Sequence, residues 1–101
     1  MAEIQKLTLS AMTKELVQSN VVTTLTKTYS IVLFNDDHNS FPYVIKSLQE
    51  VCDHTAEQAE QCAWIVHYKG KYSIKSGERD DMMTRCIALV DRGLVAEVVL
   101  I

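Results

Sequence analysis

Tyr29-Ser30-Ile31-Val32-Leu33-Phe34-Asn35-Asp36-Asp37-His38-Asn39-Ser40 changes character in mid-course, from a β-branched apolar run to a cluster of hydrogen-bond acceptors. The first half has the length and composition of a buried strand. The acceptors therefore fall where that strand ends, on a rim rather than in a core, and rims carry function more often than cores do. Asn39 or Ser40 then opens a helix whose apolar positions Phe41, Val44, Ile45, Leu48, Val51 and Cys52 recur at helical spacing. Pro42 is tolerated because the first turn of a helix does not use its N–H.

Further along, Thr55-Ala56-Glu57-Gln58 matches a capping box, and a second helix with the stripe Ala59, Cys62, Ala63 and Val66 runs to the C-terminal signal Lys69-Gly70. Lys71 to Lys75 alternates as a short strand, and Ser76-Gly77 reads as its turn. Glu78, Asp80 and Asp81 start a third helix with Met82, Met83, Cys86, Ile87 and Val90 as its apolar positions and Arg92-Gly93 as its close. The methionines read as core filler. Val95 to Ile101 is a last β-branched strand. The pattern β-α-α-β-α-β predicts an α+β fold, a single two-layer domain over residues 29–101 with a three-stranded sheet and three helices on one face. Residues 1–28 read as a flexible N-terminal arm, since serines and threonines interrupt every apolar period. Within it, Leu7 to Val17 has the makings of a short amphipathic helix, and Val21 to Thr26 has strand propensity.

At 101 residues, 48% of them hydrophobic, the chain has material for one modest core. A formal net charge of −3, with the lysines and arginines dispersed, provides no basic stripe for a phosphate backbone. No apolar stretch approaches the roughly 20 residues that span a bilayer, and the N-terminus lacks the pattern of a secretion signal; a cytoplasmic protein is expected. Cys52, Cys62 and Cys86 show no C-x-x-C spacing and fall on apolar stripes, so buried thiols are expected, not a disulfide framework or zinc site.

The chemistry lies in the acceptors. An ammonium group has three donors and no acceptor, so taking it from water requires about three well-placed oxygens or lone-pair nitrogens. Asn35, Asp36, Asp37 and a neutral His67, in the last turn before Gly70, are able to supply them. The plainer reading is that the acidic turn makes only Asx-turns and a helix cap, and that His67 is a C-terminal helix histidine. Catalysis by Asp36 and His67 has no supporting nucleophile motif. Nor do Asp36, Asp37, His38 and His54 have the repeated spacing of a metal site. No cofactor is implied.

Tyr29 to about Arg92 resembles the ClpS family, adaptors that deliver N-degron substrates to the AAA+ unfoldase of the Clp protease. The resemblance rests on the strand followed by Asn35-Asp36-Asp37, the helix opening between Asn39 and Val44, and Val66-His67-Tyr68-Lys69-Gly70. It implies a binding protein, not an enzyme, in which Asn35, Asp36 or Asp37, and His67 hold the free α-amino group of a substrate's first residue. The side chain of that residue, Phe, Tyr, Trp or Leu, would enter a pocket walled by Asn39, Phe41, Val44, Ala63 and Val66, with Val95 or a neighbour at its edge. The implied partner is a ClpA-type or ClpC-type unfoldase N-terminal domain, engaged in part by the arm, with the adaptor acting as a monomer. Family members commonly carry threonine and methionine where this chain has Asn39 and Phe41, and a larger apolar residue at Ala63, so a reshaped pocket is expected. Two other classes are set against the adaptor: a general interaction domain like the C-terminal domain of the ribosomal stalk protein, and a small metal-dependent hydrolase.

Overall fold

The structure is a computed structural model that describes residues 27–101. The described residues form β1 (Tyr29–Phe34), α1 (Phe41–Cys52), α2 (Ala56–Lys69), β2 (Lys71–Gly77), α3 (Arg79–Asp91) and β3 (Val95–Leu100). This is the expected β-α-α-β-α-β order. The sheet has the order β2-β1-β3, with β1 antiparallel to both neighbours. Apart from Lys27 and Thr28, the proposed arm lies outside the described residues, as do the helix and strand read for 7–17 and 21–26.

The residues of β1 point alternately to the two faces of the sheet. Ile31 and Leu33 are buried against the helices, whereas Val32 on the opposite face is partly exposed. They join Leu48 and Cys52 of α1, Ala59, Cys62 and Val66 of α2, Ile74 of β2, and Met82, Cys86 and Leu89 of α3 in one core. Ser30 is also buried: its hydroxyl donates to the Lys75 carbonyl at 3.1 Å and is bonded to the Ser73 hydroxyl. That leaves Ser73 as the donor of the second bond.

The helix ends follow local chemistry. Ser40, not Asn39, caps α1, its hydroxyl accepting from the Tyr43 amide at 3.3 Å. Thr55 and Gln58 make the reciprocal capping box of α2, and Gly70 ends that helix at φ +89°. Asp53 ends α1 in the left-handed region, a conformation that aspartate tolerates. Arg85 holds this end against α3, donating to the Val51 carbonyl at 2.7 Å, to Asp53 at 3.0 Å and to Asp81 at 2.8 Å.

Two local expectations are corrected. Ser76 and Gly77 do not form a turn; they pair with Ser30 and Tyr29, because a shift of register between Ile31 and Val32 lets β2 continue past Ile74. On α3, Met82 and Cys86 are core residues, but Met83, Ile87 and Val90 are exposed. That helix buries a narrower stripe than its apolar residues would allow.

Candidate functional site

A pocket of about 280 Å³ opens where the segment after β1, the first turn of α1 and the last turns of α2 meet. Its lining separates by burial. Leu33, Ala63, Val66 and Leu94 are buried and make an apolar floor, with Val44 and Phe41 as partly buried walls. Asn35, Asp37 and His67 line the same pocket but are exposed, so polar groups gather along one rim. The residues expected to hold the amine or wall the pocket, namely Asn35, Asp36, Asp37, Asn39, Phe41, Val44, Ala63, Val66 and His67, all line this one pocket.

The rim is assembled by backbone geometry. As β1 ends, the Asn35 amide donates to the Gly70 carbonyl at 2.8 Å, and Gly70 in turn donates to Val66 as the C-cap of α2. Asn35 and His67, distant in sequence, thereby come to the same mouth. The loop beyond is organised by one carboxylate. Asp36 Oδ1 accepts from the backbone amides of His38 at 2.8 Å and Asn39 at 2.9 Å, and from Asn39 Nδ2 at 3.1 Å. Burial, the largest single influence, pushes this carboxyl up, but the hydrogen bonds from His38 and Asn39 outweigh it and hold Asp36 below its ordinary value. The Asx-turn reading is therefore correct for Asp36, which shapes the loop whatever else it does.

Asn39 extends the brace, donating to the Gly93 carbonyl at 3.0 Å, while the Tyr43 hydroxyl donates to the Arg92 carbonyl at 2.7 Å. These bonds hold the connection between α3 and β3 against α1 and bring Leu94 to the pocket floor. Leu94 is the neighbour of Val95 that lines the pocket; Leu33, Phe34 and Ser40, which were not expected there, line it too. Val95, considered as an edge residue, does not line it and is exposed. Leu94 lies between two elements, where no periodicity marks it.

Rings complete one side of the mouth. Phe41 stands edge-on to Trp64 at 4.7 Å and to His67 at 5.3 Å between centroids. Ala63, only 3% exposed, presents just a methyl group to the floor.

Such a pocket has the chemistry to accept a ligand with a cationic, donor-rich head beside an apolar tail. Its volume lies just below the roughly 300–1,000 Å³ typical of ligand sites, which suits a single side chain. The thiols belong elsewhere: all three are free and buried, and burial pushes Cys52 up to about 11 and raises Cys62 and Cys86. Among the described residues, no three His, Cys, Asp or Glu side chains gather as a metal ion would need. No helix among them is long and apolar enough to cross a membrane.

Comparison with known proteins agrees with the geometry. The family model described as ATP-dependent Clp protease adaptor protein ClpS matches residues 24–97. The ATP-dependent Clp protease adapter protein ClpS of Neisseria meningitidis is 31% identical over 74 residues, 73% of this chain and 72% of that protein. Its counterpart from Edwardsiella ictaluri is 44% identical over 43 residues, 43% of this chain and 41% of that relative. In fold, the chain is similar to Agrobacterium tumefaciens ClpS2 bound to L-phenylalaninamide, with a TM-score of 0.71 and 22% identity over 74% of this chain and 98% of that one. The chain belongs to the ClpS family of ATP-dependent Clp protease adaptor proteins.

Proposed function

We propose that this protein is a non-catalytic adaptor that reads the free N-terminal residue of substrate proteins and delivers them to the AAA+ unfoldase of the Clp protease. The observation that carries the proposal is the junction of Asn35, Asp37 and His67 on one rim of an apolar pocket of about 280 Å³. A free α-ammonium group and the adjoining bulky side chain of Phe, Tyr, Trp or Leu have the matching polarity. L-phenylalaninamide, bound to the Agrobacterium relative, has that pairing, a primary amine beside a benzyl group. In this reading Asn35, Asp37 and His67 accept from the ammonium, Asp36 orders the loop, and Asn39, Phe41, Val44, Ala63, Val66 and Leu94 surround the side chain. The adaptor works as a cytoplasmic monomer. Residues 1–28 serve as the arm and 29–101 as the binding domain, with the arm engaging a ClpA-type or ClpC-type N-terminal domain.

The test is degradation of a reporter by Clp unfoldase and peptidase, with and without the adaptor. A reporter starting with Phe or Leu should be degraded faster when the adaptor is added, and one starting with Gly should not. Equal acceleration of both, or of neither, would contradict the reading. Removing residues 1–26 should abolish delivery while leaving peptide binding within about twofold, since among the described residues none before Leu33 lines the pocket.

A further inference from the structure

Beyond the pocket, α2 carries a second apolar surface. Trp64 and Tyr68, one helical turn apart, stack at 5.5 Å with planes 19° from parallel, yet Trp64 is 43% and Tyr68 76% exposed. Neither lines the pocket. Both rings pack against its rim, because the His67 ring lies 6.1 Å from Trp64 and 5.6 Å from Tyr68, and Phe41 contacts Trp64 edge-on. The stacked pair therefore continues outward from the histidine that the proposed function places on the substrate's amino group.

We infer that Trp64 and Tyr68 form a platform for the substrate's second residue and favour an aromatic side chain there. This rests on the N-terminal reading above. Consecutive Cα atoms are about 3.8 Å apart, so a first residue held at His67 places the second within side-chain reach of rings about 6 Å from the imidazole. Apolar, planar surface left in water favours a planar partner, and an aromatic ring recovers both the burial and the edge or offset contact. Glycine offers neither, and aspartate would bring a charge to the negative face of the rings.

Peptides starting Phe-Tyr, Phe-Gly and Phe-Asp, otherwise identical and labelled at the C-terminus, test this by anisotropy titration with the full-length protein. Phe-Tyr should bind about fivefold more tightly than Phe-Gly, with Phe-Asp weakest. In Trp64→Leu the ratio between Phe-Tyr and Phe-Gly should fall to within about twofold, whatever the absolute affinities. Trp64 is the single tryptophan of the chain, so its emission gives an independent readout and should change more with Phe-Tyr than with Phe-Gly. Tight binding of all three peptides with no ranking, or a ranking that Trp64→Leu leaves intact, would overturn the platform alone. Failure of every free-amine peptide to bind would overturn the N-terminal reading and the platform with it.

Discussion

The backbone amide of Asn35 donates to the carbonyl of Gly70 at 2.8 Å, joining the end of β1 to the left-handed cap of α2. This bond between two local stop signals places the Asn35 side chain in the same pocket lining as His67. It uses only the main chain, so either side chain is free to be removed without loosening the join.

Asn35→Ala and His67→Ala should therefore weaken binding of Phe-initiated peptides at least tenfold, because hydrogen bonds to a charged group are worth about 1.5–3 kcal/mol each. The melting temperature should stay within a few degrees of wild type in both. A titration and a thermal melt on each variant check the pair, and wild-type affinity in either would remove that residue from the amine site.

The two aspartates should separate by the property each one changes. Asp36→Ala strips the loop of an acceptor for two backbone amides, a loss comparable to a helix cap at about 1 kcal/mol. It should lower both the melting temperature and peptide affinity. Asp37→Ala should lower affinity alone. Because the Asp36 carboxyl is held below its ordinary value, its contribution is present above about pH 3.9 and is lost as pH falls through the lowered folded value. An acid titration of stability in which Asp36→Ala matches wild type would contradict this role.

Pocket shape should respond to Ala63. A methionine there extends from the buried floor into the cavity, so Ala63→Met should penalise Trp-initiated peptides more than Leu-initiated ones by roughly 1–3 kcal/mol. An unchanged ranking of first residues would show that Ala63 does not set the floor.

Stability should also depend on pH through His54, away from the pocket. Its Nε2–H donates to the Ile74 carbonyl at 2.9 Å, and its buried Nδ1 has no partner among the described residues. Burial first, then the charge of Lys75, hold this histidine below its ordinary value despite the bond to Ile74 and the charge of Asp53. The unfolded chain therefore binds the proton more readily, and stability should fall as pH drops below about 6.5 toward the lowered folded value. Urea midpoints between pH 7.5 and 5.5 should decline in wild type and decline less in His54→Gln. Equal slopes would contradict the assignment.

What was legible in the sequence follows from how local each signal is. The bounds of β1, the Thr55–Gln58 capping box, the Gly70 stop and the buried stripe of α2 depend on neighbouring residues, and all were read correctly. Ser76-Gly77 carries a turn signature, but pairing with Ser30 and Tyr29 overrides it. A Cβ at Gly77 would lie 3.2 Å from Met82 Cε, a tight contact that the methionine end would have to yield to by a few tenths of an ångström. That Asn35, Asp36, Asp37 and His67 line one pocket was legible because a strand end and a helix end each announce themselves. Which of Val95 and its neighbours reaches the pocket was not legible, because tertiary bonds from Asn39 and Tyr43 to Gly93 and Arg92 bring Leu94 there. Nor was the stacking of Trp64 on Tyr68, which depends on ring orientation.

The central claim is recognition of a free α-amino group beside a bulky side chain, and one pair of dissociation constants tests it most directly. A Phe-initiated peptide and its N-acetylated twin differ only in the cation that Asn35, Asp37 and His67 are proposed to meet. The account predicts that the free peptide binds and that acetylation weakens it at least a hundredfold, from the loss of two or more charge-assisted hydrogen bonds of about 1.5–3 kcal/mol. Equal binding of the two peptides would contradict it.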